Sequence, residues 1–172
     1  MCIRDRYTSL TQINQTLNIM DTERLNLEKA VIAHYMPNSN AYEFGTENGV
    51  TYLRIVAQTN NRQMYVMRIE TPGYPYTKPY AYVECMLRDH NGNLMNEASA
   101  SNHTLSPHRN GWTQICHYHP SAWKPNMSLW MVYVRCVLWL NIYEQSLKNG
   151  RTIDSYLRHM SENYSREEYL NH

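Results

Sequence analysis

The sequence predicts an α+β fold, in which a helix precedes an antiparallel sheet and a second, longer helix follows it. Three observations carry this prediction. Apolar residues recur at helical spacing over 21–35, alternate with other residues in short segments between 42 and 87, and surround 129–148 on nearly all sides. The 172 residues are most economically one domain, because domains commonly contain ~100–200 residues.

Each boundary of the first helix has a local signal. Asp21 is a favourable N-cap, and Glu23 lies in the first turn, where the helix dipole favours a negative charge. Pro37 ends the pattern, so the helix is predicted over 21–35. Residues 1–20 are mostly polar and are predicted to be loosely ordered. The first six residues look foreign to the rest of the chain, and we assign them no function.

Four strands are predicted to form an antiparallel meander, because turn residues separate short segments of alternating pattern. Three prolines in 71–79 delete donors of a strand ladder, so this segment is expected to leave the sheet. The predicted strands are 42–44, 50–57, 64–70 and 80–87, with turns at 45–49, 59–61 and 89–93.

The second helix follows an irregular stretch. Residues 95–114 show no clear period, which is unusual in a compact domain unless the stretch has a function. Ser128 is predicted to cap a helix over 129–148 that is buried on most faces, and Gly150 is predicted to end it. The apolar pattern stops there, so the main body of the domain is predicted over 21–150. Residues 151–172 are predicted to be a polar satellite helix or a solvated end of the same domain.

Composition excludes several classes of protein. Apolar residues make up 42% of the chain, which is enough to fill a core. A net charge of +1 gives neither a broad basic surface for nucleic acid nor an acidic tail. No segment approaches the ~18 consecutive apolar residues of a membrane span, and the N-terminus has no apolar signal-peptide core. We therefore expect a cytoplasmic protein that binds neither nucleic acid nor membranes.

The four cysteines point to free thiols in an intracellular protein. Their spacing matches neither a C-x-x-C zinc pattern nor a dense disulfide framework. Cys85 falls in a predicted strand and Cys136 in the middle of the second helix, so both are predicted to be core cysteines. Cys2 lies in the polar N-terminal segment, and Cys116 follows a short apolar segment.

Cys116 is the candidate nucleophile, because it precedes a loop that is rich in His, Trp and Pro. A free thiol has a pKa near ~8.5, so a few per cent is thiolate at neutral pH, and that thiolate is a strong nucleophile. The alternative is a buried structural cysteine. Trp123 and Pro125 are predicted to pack this loop against the start of the second helix and so to fix the position of Cys116.

Three histidines surround this cysteine in the sequence, namely His108, His117 and His119. One of them can act as a base for an incoming amine or as a hydrogen-bond donor to an oxyanion. If the segment is extended, Cys116 and His117 point to opposite sides. His119 with its following proline can instead order the loop. The spacing Cys-His-x-His is too tight for a structural zinc site, so no metal is expected.

Several segments together resemble the ubiquitin-conjugating enzyme fold. They are Tyr74-Pro75-Tyr76-Thr77-Lys78-Pro79, then Ile115-Cys116 after an irregular stretch that contains His and Asn, then Trp123-Lys124-Pro125 before the long helix. The resemblance covers about 21–148 and implies an α+β fold with an N-terminal helix, a four-stranded antiparallel meander and a long central helix after the active-site loop.

The segment from Ile115 to Trp123, with Met127-Ser128 and Trp139-Leu140-x-x-Tyr143-Glu144, is more similar to bacterial conjugating-enzyme-like proteins. These belong to antiphage operons that use cyclic-oligonucleotide signalling. The resemblance implies that Cys116 forms a thioester with the C-terminal tail of a cGAS-like cyclic-oligonucleotide synthase and transfers it to an acceptor. A separate activating enzyme is an optional partner, and no cofactor is implied.

Several other residues near Cys116 in the sequence are candidates for a role in the site. His119, His108 and Asn110 are candidate catalytic residues beside Cys116, and His103 is a further upstream candidate. The Asn110 amide either donates to the oxyanion, worth ~2.7–4 kcal/mol for one such donor, or shapes the turn with Gly111. The candidate substrate-binding residues are His117 and Trp123.

Two other functions remain open at this point. One is a binding module of the same fold, whose inert cysteine plays no part while the protein holds the synthase as a scaffold. The other is a Cys–His hydrolase, which would need a base and an orienting carboxylate or amide near the sulfur. The sequence places no such pair.

Overall fold

The α+β class is confirmed by the computed structural model, which describes residues 19–109 and 111–162. One antiparallel sheet of six strands and three helices make up this described part. The helices are α1 (Thr22–Tyr35), α2 (Leu129–Asn149) and α3 (Ile153–Glu162). The strands are β1 (Tyr42–Glu47), β2 (Val50–Gln58), β3 (Met64–Glu70), β4 (Tyr80–Val83), β5 (Thr104–Leu105) and β6 (Thr113–Ile115), in the spatial order β1-β2-β3-β4-β6-β5.

Helix α1 begins where the sequence predicts. The Asp21 carboxylate accepts a hydrogen bond from the Arg24 amide at 3.3 Å, and the helix ends at Tyr35, before Pro37. Of the segment predicted to be loosely ordered, residues 1–18 lie outside the described residues. Met20, at its end, is buried, and its amide donates to the Thr51 hydroxyl at 3.4 Å.

The predicted fourth strand is too long. Strand β4 ends at Val83 instead of continuing to residue 87. The Glu84 amide still donates to the Val66 carbonyl at 2.9 Å, but the chain then bends, and the Leu87 amide donates to the Thr113 hydroxyl at 2.9 Å. At the bend, the Thr113 hydroxyl accepts a hydrogen bond in place of a strand carbonyl. An alternating pattern of residues does not reveal such a bend.

The expected four-stranded sheet is also too small. The irregular stretch 95–114 contains β5 and the start of β6, and β6 pairs with both β4 and β5. Strands of two and three residues are too short to show a period, which explains why the sequence does not reveal them. These strands set the position of the candidate nucleophile, because Cys116 follows β6 directly.

One face of the sheet packs against α2, and this layer forms the core. Leu53, Met67, Ala81 and Ile115 come from four neighbouring strands and are at most 1% exposed. The face of α2 that meets them is fully buried, while Met131, Val134 and Leu147 are exposed, so the helix has one solvent face. Ser128 caps α2 and Gly150 ends it in the left-handed conformation with φ 72°, as predicted.

A buried carboxylate connects α1 to the start of α2. Glu28 is 1% exposed and accepts from the Leu129 amide at 2.9 Å and from Arg24 Nε at 2.8 Å. The Tyr74 hydroxyl is also hydrogen-bonded to Glu28. Arg24 in turn donates to the carbonyl oxygens of Pro125 at 2.9 Å and Met127 at 2.7 Å. The loop that leads from Cys116 to α2 is therefore held by α1.

The predictions for the other cysteines have mixed outcomes. Cys136 is fully buried on α2, as expected. The prediction for Cys85 is wrong: this residue is exposed, because it lies in the bend after β4 and not in a strand. Cys2 lies outside the described residues. No helix in the described part of the chain is long and apolar enough to cross a membrane.

Candidate active site

Cys116 lies at the end of β6 and is partly buried. Its amide donates to the His103 carbonyl at 2.9 Å, which extends the β5–β6 ladder by one bond. Its sulfur lies 3.8 Å from the Tyr118 carbonyl oxygen, within range of a weak hydrogen bond from the thiol. Cys116 is therefore not among the fully buried residues, and the Tyr118 carbonyl is only a weak partner for its thiol.

His117 points into the protein and is 6% exposed. Its Nε2 lies 2.8 Å from the Pro79 carbonyl oxygen, which can only accept, so Nε2 carries a proton. Burial lowers the pKa of His117 to about 4, so the ring is neutral near pH 7. Its substrate-binding role stays a prediction, and a contact with substrate would require this ring to leave its buried position.

The ring of His119 orders the loop. It is the N-cap of a 3-10 turn, Pro120–Ala122, and its Nδ1 accepts from the Ser121 amide at 3.3 Å. The Ser121 hydroxyl lies 2.6 Å from the same nitrogen. In the neutral ring the proton is then on Nε2, so His119 can offer a donor but must break its cap to act as a base. The loop-ordering alternative accounts for these contacts.

His108 lies on the other face of the sheet from α2. Its Nδ1 is 3.2 Å from Gln114 Oε1, and its ring stacks on Tyr80 at a centroid distance of 4.8 Å. Gln114 lies two residues before Cys116 along the strand, so their α-carbons are about 7 Å apart. The structure thus brings His108 to the strand of the cysteine and pairs its ring with Gln114. Asn110 lies outside the described residues.

His103 is closer to the cysteine in the sheet than its sequence position suggests. Its carbonyl oxygen receives the Cys116 amide, and its Nε2 lies 2.7 Å from Asp154 Oδ1. The backbone of His103 is therefore paired with that of Cys116, while its ring is paired with the Asp154 carboxylate. The sequence marks His103 as a candidate but gives no signal for Asp154, which is 51 residues away and on α3.

Trp123 anchors the loop to the turn before β4. Its indole Nε1 donates to the Pro75 carbonyl at 2.8 Å. Its ring packs edge-on against Tyr118 at 6.0 Å and beside Tyr74 at 5.9 Å. The prediction that this tryptophan fixes the loop agrees with these contacts, but they join it to the proline-rich turn, and its packing against the start of α2 stays a prediction.

Sequence reasoning missed two cationic residues that contact Tyr118, two residues after the cysteine. Lys78 Nζ donates to the Tyr118 carbonyl at 2.8 Å, and the Arg135 guanidinium lies 4.6 Å from the centroid of the Tyr118 ring. Neither residue is near Cys116 in the sequence. Lys78 does lie inside the proline-rich turn that carries the family resemblance, but no spacing rule connects it to the thiol.

Among residues 19–109 and 111–162, no three His, Cys, Asp or Glu side chains come together to hold a metal ion. Comparison with protein-family models, curated proteins and solved structures finds no match to this chain. The functional assignment therefore depends on the geometry of the site and on the sequence resemblance.

Proposed function

We propose that this protein is a ubiquitin-conjugating-like acyltransferase in which Cys116 accepts an acyl C-terminus as a thioester and passes it to an acceptor. The observation that carries the proposal is the position of Cys116, which is partly buried at the end of β6 in a loop anchored on both sides. His117 anchors one side to Pro79, and Trp123 anchors the other to Pro75.

The order of elements agrees with the same proposal. A helix, an antiparallel meander, a proline-rich turn, the cysteine and a long helix follow one another, as the resemblance to ubiquitin-conjugating enzymes implies. The two extra short strands lie between the meander and the cysteine and hold the cysteine at the edge of the core. We also propose that the fold itself is that of a ubiquitin-conjugating enzyme.

The chemistry needs two exchanges at one sulfur. The Cys116 thiolate adds to the carbonyl carbon of a donor thioester, the donor C–S bond breaks, and the departing thiolate takes up a proton. In the second exchange an acceptor amine adds to the new thioester, its extra proton passes to water, and the Cys116 thiolate leaves. A partly buried thiol in a positioned loop is sufficient for the first exchange, provided that the donor can reach the sulfur.

By resemblance, the donor is the C-terminal tail of a cGAS-like nucleotidyltransferase of an antiphage system, or a ubiquitin-like protein, with an activating enzyme if one is needed. Co-expression with the synthase tests this partner. We expect a joined species on non-reducing gels that disappears with reducing agent and in Cys116→Ala. A joined species that persists in Cys116→Ala would exclude Cys116 as the site of attachment.

The acyl exchange itself can be tested without knowing the donor. We would incubate the full chain with a short acetylated peptide that ends in glycine and is activated as its mercaptoethanesulfonate thioester. At early times, before any onward transfer, intact mass spectrometry should show one acyl group that reducing agent removes. Cys116→Ala should lose it, Cys116→Ser should retain a slower, reductant-resistant ester, and Cys85→Ala should behave as wild type. Equal labelling of Cys116→Ala and wild type would contradict the proposal.

Thioester hydrolysis is the second candidate, and the His103–Asp154 pair specifically favours it. A Cys–His hydrolase needs an imidazole oriented by a carboxylate, and His103, which carries this pair, accepts the Cys116 amide through its backbone carbonyl. The same peptide thioester separates the two functions. A transferase accumulates acyl-Cys116, whereas a hydrolase releases free peptide acid in many turnovers, and Asp154→Asn would slow that release.

A further inference from the structure

We infer that Lys78 is an acceptor on the chain itself, which receives the acyl group from Cys116 as a stable amide. This inference rests on the proposed function, since it needs a thioester at Cys116. It assigns a modification site to a residue that the sequence reasoning did not select. The observation that carries it is a carbonyl oxygen shared by the Lys78 ammonium and the Cys116 thiol.

The shared carbonyl belongs to Tyr118 and limits the distance between the two nucleophiles. Lys78 Nζ lies 2.8 Å from this oxygen, and Cys116 Sγ lies 3.8 Å from it. The two distances sum to 6.6 Å, so Nζ and Sγ are at most 6.6 Å apart. The carbonyl carbon of an acyl group on Sγ is one covalent bond from the sulfur, in the region that the amine can reach.

The backbone beside Lys78 is fixed next to the cysteine loop. The next residue, Pro79, accepts the hydrogen bond from the buried His117 ring at 2.8 Å. Lys78 and Pro79 are therefore joined to Tyr118 and His117 by two separate hydrogen bonds. The attack requires the flexible lysine stem to move its amine from the Tyr118 oxygen to within ~3–3.5 Å of the acyl carbon, without moving the backbone.

A positioned amine has a large advantage over free acceptors. Well-oriented intramolecular reactions reach effective molarities of ~10⁵–10⁸ M, and even a small part of this effect exceeds a millimolar amine in solution. Arg135, the other nearby cation, carries a delocalised guanidinium, which is not a nucleophile. Lys124 lies in the same loop but is exposed, which makes it a suitable control residue.

The transfer moves the acyl group from the Cys116 sulfur to the Lys78 nitrogen. The Lys78 ammonium first releases a proton to water, and the free amine adds to the thioester carbonyl carbon of acyl-Cys116. The C–S bond then breaks as the C–N bond forms, the second amine proton passes to water, and Cys116 is regenerated as a thiolate. The product is an amide on Lys78, so one positive charge is removed from beside the cysteine and the thiol is free again.

The test uses the full chain and the same peptide mercaptoethanesulfonate thioester. After labelling, excess reducing agent removes thioesters, and peptide mapping locates the adducts that remain. We expect a reductant-resistant adduct on Lys78 that forms after the labile adduct on Cys116 and that is absent from Cys116→Ala. Lys78→Arg should lose it, and the labile adduct should then persist several times longer. Lys124→Arg should match wild type.

Three results would overturn the inference, and the first two can be distinguished by the fate of the proposed function. If the labile adduct forms on Cys116 but no resistant adduct maps to Lys78, the inference is wrong while the proposed function stands. If no labile adduct forms on Cys116, both are wrong. A resistant adduct on Lys78 that forms at the same rate in Cys116→Ala would also overturn it, because the acyl group would then come directly from solution.

Discussion

His117 donates its Nε2 hydrogen to the carbonyl oxygen of Pro79 at 2.8 Å, so the residue after the candidate nucleophile is tied to the turn before β4. The other ring nitrogen, Nδ1, is buried and has no partner among the described residues. A neutral ring tolerates this arrangement, whereas a protonated ring would hold a buried N–H without an acceptor. The loop of Cys116 is therefore sensitive to the protonation of a residue that need not take part in the chemistry.

The first prediction concerns pH and stability. The pKa of His117 is about 4 in the folded protein and about 6.5 when unfolded, so the unfolded chain binds the proton more tightly. The contribution of His117 to the free energy of unfolding is then fully present well above pH 6.5, and it falls as the pH drops from 6.5 towards 4. The expected loss from this residue is ~2.5 kcal/mol at pH 4.5 relative to pH 7, measured by urea unfolding at both pH values.

The matched variant is His117→Gln, whose amide can still donate to Pro79 but does not titrate. Its free energy of unfolding should fall less than that of wild type between pH 7 and 4.5, by about the same ~2.5 kcal/mol. Parallel pH profiles for the two proteins would show that His117 does not titrate in this range.

The second prediction concerns the buried carboxylate of Glu28. Glu28→Ala removes the acceptor of the Leu129 amide and leaves the Arg24 guanidinium without its carboxylate partner. Breaking a buried ion pair in this way costs ~3–5 kcal/mol. We expect a loss of this size in the free energy of unfolding, and a smaller loss for Glu28→Gln, which retains one oxygen acceptor.

Glu23 on the same helix is exposed and provides the control. Glu23→Ala should cost less than ~1 kcal/mol, because a carboxylate near a helix N-terminus contributes ~0.3–1 kcal/mol. Similar losses for the two alanine variants would contradict the role assigned to the buried network.

The third prediction separates the two roles of His119. Asparagine is a good N-cap, so His119→Asn should retain the cap on the Ser121 amide. We expect its rate of acyl exchange to stay within ~3-fold of wild type, whereas His119→Ala should lose ~5-fold, since a cap is worth ~1 kcal/mol. If both variants lose ~10²–10⁴-fold, His119 acts as an acid or base and the loop-ordering role is insufficient.

Sequence alone predicts the elements whose signals are local. Asp21, Ser128 and Gly150 mark helix ends because each residue satisfies a helix terminus by its own chemistry. Strands β5 and β6 contain too few residues for a period, and they exist because β4 offers a free edge. That edge is a property of the folded sheet and not of the residues between 95 and 114.

The candidate site shows the same division. Cys116 is recognisable from its neighbours in sequence, but the partners that define its surroundings come from distant segments. Lys78 is 38 residues away, and Asp154 joins His103 only because α3 returns beside the sheet. The exposure of Cys85 is likewise decided by a bend that no local pattern signals.

The central claim is that the fold makes the Cys116 thiol reactive towards thioesters, and a comparison with Cys85 in the same wild-type molecule tests it most directly. Cys85 is the more exposed residue, so exposure alone would favour its acylation. Partial burial of its sulfur raises the pKa of its thiol. After a short pulse of the peptide thioester, quenching in acid and peptide mapping give the rate at each cysteine. We predict that Cys116 is acylated several times faster than Cys85; equal rates, or faster acylation of Cys85, would contradict the account.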